Sequence, residues 1–241
     1  GNMVNIKDAN GNVIGQKEAD DITNKWFIGH PIDAVWDLKV LGVYQTGDKD
    51  AAKRYGQSPG DFKIQDVNND GKYTNDDRQF LGFSKPRYQW TVRNNFTFFK
   101  SFDVSALIYS SWGYMASFNQ AKNKGGFPDR TNGYVYPHWT PDNPTNDFSR
   151  IFSSDGSASY NVYRNRNFIR LDNVAVAYTF PNSLLKKASI QDFKVYFSVK
   201  NAALYAPNWD NWDPEWDPNA DNNPGPGPTP RTFTFGFNLT L

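Results

Sequence analysis

The stretch DVNNDGKYTNDD, residues 66–77, carries the oxygen spacing of a calcium loop. Such a loop needs oxygens at positions 1, 3, 5, 7, 9 and 12, with glycine at 6 for the sharp turn. Counted from Asp66, those positions hold Asp66, Asn68, Asp70, the Lys72 carbonyl, Thr74 and Asp77, with Gly71 at the turn. Asp77 stands where a helix-flanked loop usually carries Glu, so closure by both carboxylate oxygens needs a tighter loop. The same residues also read as an Asx-rich surface turn, because Asn, Asp and Gly favour turns through local hydrogen bonds. No general base or nucleophile accompanies the pattern, so the calcium expected here is structural.

A second chemical cluster is NWDNWDPEWDP, residues 208–218. It sets Trp209, Trp212 and Trp216 among Asp210, Asp213, Glu215 and Asp217. Indole faces beside carboxylates suit stacking on a sugar or contact with a partner, and they equally suit burial against each other. A glycosidase pair would need its two carboxylates at a set separation across a bound sugar, and the sequence does not imply one. His30 and His138 are the only histidines, and neither a G-x-S-x-G elbow nor a glycine-rich phosphate loop occurs. The chain reads as a non-enzyme.

The elements that would position these residues are strands. Net charge is +1 over 241 residues with no basic stripe, so no nucleic-acid partner is expected. There are no cysteines, which removes disulfides and thiolate sites. The first residues show no signal-peptide pattern, and no apolar run approaches the roughly 20 residues of a spanning helix. Aromatic residues make up 17% of the chain, a density that favours strands and also marks interfaces and membrane belts.

Several segments alternate with period two. In RTFTFGFNLTL (231–241), Phe233, Phe235, Phe237, Leu239 and Leu241 share one face and Thr232, Thr234, Gly236, Asn238 and Thr240 the other. FKVYFSVKN (193–201), YQWTVRNNFTF (88–98) and FDVSALIYSSW (102–112) behave likewise. FIRLDNVAVAYTF (168–180) alternates from Val174 on, and its apolar phase slips near Asp172–Asn173, where a bulge is expected. Strands are predicted near 36–45, 87–98, 102–112, 167–180, 193–204 and 231–241. Most exceed the usual 5–6 residues of a soluble strand and approach the length of a tilted membrane strand. The turn FKS (99–101) and the connection 181–192 are short, whereas 47–86, 113–165 and 205–230 are long and polar. Outer-membrane barrels alternate short and long connections in this way.

With those residues in view, the chain resembles the C-terminal part of SusC/RagA-type TonB-dependent outer-membrane transporters. The resemblance rests on an ordered series: IGHPIDAVWDLKVLGVYQ (28–45), PGDFKIQDVNNDGKYTNDDRQFLG (59–82), NNFTFFKSFDVS (94–105), FIRLDNVAVAYTFP (168–181), VYFSVKNAALYAPNWDNWDPE (195–215) and TFTFGFNLTL (232–241). The family's calcium-like loop sits in the second block, where it pins an extracellular loop and needs no flanking helices. One departure is the final Leu241, where the family usually ends in an aromatic residue.

The resemblance implies an all-β fold, with residues 1–241 forming the C-terminal antiparallel strands of a large transmembrane β-barrel with long extracellular loops. The plug and the earlier strands are expected to lie outside the chain, as a barrel of about 22 strands needs more than five or six. It implies residence in the cell outer membrane among lipid, and import of glycans or peptides. It further implies a SusD-like lipoprotein as a lid, and the TonB complex reached through the absent plug. The other reading is a secreted calcium-stabilised β-sandwich that binds carbohydrate. In a barrel, Arg93, Arg170 and Lys200 fall on inward positions, paired with plug carboxylates or solvated in a wet lumen.

Overall fold

The computed structural model describes residues 2–122, 137–209, 213–215 and 229–241. Six strands precede residue 87: β1 (Asn2–Lys7), β2 (Val13–Ala19), β3 (Ala34–Leu38), β4 (Val40–Val43), β5 (Phe62–Ile64) and β6 (Arg78–Phe83). They are followed by β7 (Tyr88–Phe98), β8 (Phe102–Trp112), β9 (Met115–Ser117), β10 (Tyr163–Asn165), β11 (Phe168–Thr179), β12 (Asp192–Tyr205) and β13 (Thr232–Thr240). Two short helices, α1 (Lys49–Arg54) and α2 (Asn182–Leu185), lie in the connections between strands. No helix among the described residues is long and apolar enough to cross a membrane. The chain divides into two compact units: residues 1–85 with 115–163, and residues 86–114 with 164–241.

The second unit is one antiparallel sheet in the order β13-β12-β11-β8-β7. Its strands grow from the alternating segments, whose β-branched and aromatic side chains suit a pleated surface. Phe99 (φ 50°) and Lys100 (φ 62°) take left-handed conformations in the three-residue turn 99–101 between β7 and β8, closed by the Ser101 amide donating to the Phe98 carbonyl at 3.1 Å. The connection from β11 to β12 holds α2 and leaves from the same end of the sheet. All the long connections leave from the other end. The expected slip is real: the register of β11 shifts between Leu171 and Asn173 against both neighbours, leaving Asp172 as the extra residue of a bulge. The positive φ of Asn201 (53°) accommodates the matching irregularity in β12.

One face of this sheet is apolar and bare. Phe233, Phe235 and Phe237 are 65%, 75% and 62% exposed, and Trp90, Val92, Phe96, Phe102, Val176 and Phe197 are also open. Bringing each large apolar side chain out of water would contribute about 1.5–3 kcal/mol, so the face calls for a non-aqueous neighbour. A sandwich would bury these residues against a second sheet; their exposure leaves that reading without its core.

The first unit is built from what the sequence presents as loops. Leu38, Tyr44, Phe62, Ile64, Tyr73, Phe118, Phe148 and Tyr160 are buried in it. Here one expectation is corrected: 36–45 is not a long strand of the sheet. It breaks into β3, which pairs with β6, and β4, which pairs with β5. The break falls in VWDLKVLGVYQ, whose alternation is poor, and Gly42 (φ 141°) shifts the register there. The sequence expectation places no strand before residue 36, yet β1 and β2 pair as an antiparallel hairpin.

Candidate functional site

The polar face of the sheet is assembled by register. Rows of neighbours cross it: Thr91–Tyr109–Arg170–Leu204, then Arg93–Leu107–Asn173–Lys200–Thr232, then Asn95–Ser105–Ala175–Ser198–Thr234. Nearest the short turns, Lys194 pairs with Asp103 at 2.8 Å, and Asp103 also accepts from the Thr97 hydroxyl at 2.9 Å. There Tyr196 lies across β13, where only glycine fits: a Cβ on Gly236 would stand 2.4 Å from the phenol.

At the loop end, Arg170 anchors the connection that follows β12. Its guanidinium, 1% exposed, donates to Asp213 Oδ1 at 2.5 Å, to Glu215 Oε2 at 2.7 Å and to Asn201 Oδ1 at 2.5 Å. Tyr109 donates to the same Glu215 oxygen at 2.6 Å, and the Glu215 amide donates to Asp213 Oδ1 at 2.9 Å. The bulge at Asp172 sets the phase that turns Arg170 onto the polar face. Trp209 is buried with the Arg166 guanidinium 5.0 Å from its ring centre. The described members of the aromatic–acidic cluster, Trp209 and Asp213, are therefore turned onto the protein itself, while Glu215 keeps 39% of its side chain exposed. Trp212 and Trp216 lie outside the described residues. No sequence signal pointed to Asp213 and Glu215 as the partners of Arg170.

In the loop 66–77, local hydrogen bonds use most of the candidate oxygens. Asp66 Oδ2 accepts from the Gly71 amide at 2.9 Å and the Tyr55 hydroxyl at 3.0 Å. Asn68 accepts from the Asp70 amide, Asp70 from the Lys72 amide, and Thr74 Oγ1 from the Asp76 amide. Asp77, fully buried, takes the Val67 amide at 2.7 Å on one oxygen and the Thr74 amide at 2.9 Å on the other. Asn69 (φ 59°) and Gly71 (φ 81°) make the left-handed steps of the turn. Burial pushes the Asp66 carboxyl up, but the bonds from Gly71, Tyr55, Asn69 and Asp70 outweigh it and hold it below its ordinary range.

Two observations bear on whether these residues fit a cation. Asp66 Oδ1 is buried and accepts no hydrogen bond, a cost that a bound cation would remove. The donors are all oxygens, as a hard divalent ion requires. Among the described residues no three acidic or histidine side chains converge, so Asp66, Asp70 and Asp77 are not gathered into one carboxylate cluster. The residues that would hold an ion are Asp66, Asn68, Asp70, the Lys72 carbonyl, Thr74 and Asp77. The two carboxylate oxygens of Asp77 serve meanwhile as the clasp of the loop.

Long strands, one bare apolar face, one polar face and long connections at a single end define a segment of a transmembrane antiparallel β-barrel. No family model matches the chain. Similar curated proteins include two from Formosa agariphila. TonB-dependent receptor P3 is 26% identical over 225 residues, which is 88% of this chain and 22% of that protein. TonB-dependent receptor P26 is 28% identical over 232 residues, 89% of this chain and 23% of that protein. Among solved structures, the RagAB peptide transporter matches with a TM-score of 0.60 at 19% identity, covering 89% of this chain and 23% of that one. The RagAB peptide importer in its open-open state gives 0.60 at 17% identity over 90% of this chain and 23% of that one. The chain thus spans less than a quarter of the length of the relatives it matches. The resemblance to SusC/RagA-type TonB-dependent receptors holds along nearly nine-tenths of it.

Proposed function

We propose that this chain belongs to the barrel of a TonB-dependent importer in the cell outer membrane, taking up glycans or peptides with a SusD-like surface lipoprotein. The observation that carries the reading is the sheet with one bare apolar face, in proteins whose curated relatives are TonB-dependent receptors. Its edges, β7 and β13, are long and unpaired, which suits continuation into further barrel strands. On this proposal the plug and the TonB contact are supplied by the rest of the full-length receptor. The protein is a conduit and carries no catalytic role.

In this reading the long connections 47–86, 113–165 and 205–230 face outward from the cell. The loop 66–77 holds a structural calcium through Asp66, Asn68, Asp70, the Lys72 carbonyl, Thr74 and Asp77, with the unsatisfied Asp66 oxygen in its favour. Glu215, 39% exposed beside the buried Trp209 and Asp213, is placed by this proposal in a substrate or partner loop with Trp209, Trp212, Asp213 and Trp216. The test is to delete the gene of the full receptor and supply labelled oligosaccharides and peptides. Uptake should fall for one class and return with the gene, and a lipoprotein should co-purify with the receptor. Unchanged uptake of both classes and purification of the receptor alone would overturn the reading.

A further inference from the structure

The polar face is satisfied at both ends and unsatisfied in the middle. Toward the short turns Lys194, Asp103 and Thr97 bond one another, and toward the loops Arg170, Asp213, Glu215, Tyr109 and Asn201 do the same. Between them lies the row Arg93–Leu107–Asn173–Lys200, with Asn95–Ser105 just below. Among the described residues, the side chains of Arg93, Asn95, Ser105, Asn173 and Lys200 make no hydrogen bond or ion pair. The carboxylates nearby do not neutralise the two cations. Asp103 belongs to Lys194, Asp213 and Glu215 to Arg170, and Asp172, the bulge residue, pairs with neither.

The gap is also concave. A depression of about 170 Å³ opens between β7, β8 and β11, lined by Arg93, Asn95, Ser105, Ala106, Leu107 and Asn173. Lys200 stands beside it on the next strand, paired in register with Asn173. Three strand spacings separate Arg93 from Lys200, roughly 14 Å between backbones, a span two long side chains can close to a few ångströms. The arrangement provides two cations, two amides and a hydroxyl around one hollow. Arg offers two parallel donors to a carboxylate, and Lys adds a mobile point charge. Leu107 supplies an apolar contact in the floor of the hollow, between the polar side chains.

We propose that this row is a carboxylate-binding subsite on the lumen wall, which makes an acidic solute (a uronic-acid oligosaccharide or an acidic peptide) the substrate class of the importer. The inference rests on the transport reading. Carboxylate is the shared chemistry of the two sources. The site sits partway along the polar face, where a passing chain would be handed from the loop end toward the turn end.

The test uses the full-length receptor that contains this segment, purified in detergent, with hexagalacturonate, hexaglutamate and neutral maltohexaose as probes. Wild-type receptor should bind at least one acidic probe more tightly than maltohexaose, with affinity falling as salt rises. The double variant R93Q/K200Q should lose roughly tenfold or more of that affinity and leave maltohexaose unchanged. The acidic probe that responds identifies the source as sugar or peptide. Equal binding of acidic and neutral probes, or equal binding by variant and wild type, overturns the proposal. So does a variant that binds normally but melts earlier and becomes protease-sensitive inside the barrel, because its cations would then pair with the receptor's own carboxylates. A receptor that binds the acidic probe through this row yet supports no uptake in cells would sink the transport reading and leave the subsite standing.

Discussion

Arg170 Nη2 donates to Asp213 Oδ1 at 2.5 Å, tying a residue of β11 to one that lies 43 positions further along, with both side chains buried. A buried ion pair adds little over an apolar pair of the same shape, but removing one partner strands the other charge. Asp213→Ala should therefore destabilise the receptor by about 3 kcal/mol or more. Arg170→Met with Asp213→Ala should recover much of that loss. Glu215→Gln, altering a partly exposed carboxylate, should cost less than about 1 kcal/mol. Denaturant unfolding of the four proteins measures this, and equal losses for Asp213→Ala and the double variant would refute the coupling.

Gly60 is a second point of tight contact. Its φ is +91°, and a Cβ there would stand 2.5 Å from the Trp139 ring and 2.6 Å from Arg150 Cβ. Its carbonyl accepts from the Arg150 amide at 2.7 Å, and Arg150 pairs with buried Asp61 at 2.9 Å. Gly60→Ala meets both left-handed strain and overpacking, so a loss of about 2–4 kcal/mol is expected. Protease cleavage in 47–86 or 115–163 should speed up accordingly. Unchanged protection would show that these connections do not depend on each other here.

Alkaline pH should loosen the first unit. Burial, followed by the nearby Asp37 charge, pushes the Tyr163 phenol up to about 12 from its ordinary 10.0. Burial likewise raises Tyr44, Tyr73 and Tyr160. A phenol whose folded value is raised keeps its proton longer in the folded state, so its contribution is full below pH 10 and is lost as pH climbs toward the folded value. Melting temperature should hold to pH 9 and fall between pH 10 and about 12. Tyr163→Phe should flatten that fall by up to about 1.4 kcal/mol per pH unit. It should also lower stability at neutral pH by about 1 kcal/mol through the lost bond to Asp37. A fall just as steep in the variant would contradict the assignment.

Calcium should be detectable as stability of one loop. Titrating the full receptor with calcium should release or absorb heat, and chelation should raise hydrogen exchange in 66–77 while β7, β8 and β11–β13 stay protected. Asp66→Asn and Asp70→Ala should weaken the ion, and chelation should loosen association with the lipoprotein by exposing a less ordered loop. No heat, together with an Asp70→Ala melting curve identical to wild type, would leave the loop as an Asx turn closed by Asp77 alone.

The sequence made the sheet legible because period two is written directly in residue types. The alternation of β7, β8, β12 and β13 places their ends within a residue or two, and the slip at Asp172–Asn173 marks the bulge before any coordinate is known. The first unit was opaque for the opposite reason. Its folding depends on pairings distant in sequence, such as Asp37, buried and accepting from Arg78, Asn161 and Tyr163 across as many as 126 positions. No local pattern announces such a pairing. The site is half visible: alternation places Arg170 and Arg93 on one face, but only tertiary structure shows that Arg170 is paired within the chain whereas, among the described residues, Arg93 makes no hydrogen bond or ion pair.

The central claim is that the sheet's apolar face meets lipid while its polar face meets water. The most direct measurement is site-directed spin labelling of β13 in the full receptor, reconstituted in bilayers, with single cysteines at each position from 232 to 240. This segment has no cysteines of its own to interfere. Labels at Phe233, Phe235, Phe237 and Leu239 should be relaxed by oxygen, which concentrates in lipid. Those at Thr234, Gly236 and Asn238 should be relaxed instead by a water-soluble nickel complex. That period-two exchange of accessibility is the predicted result. Equal accessibility to the nickel complex at both sets, or burial of the odd positions from both reagents, would contradict it.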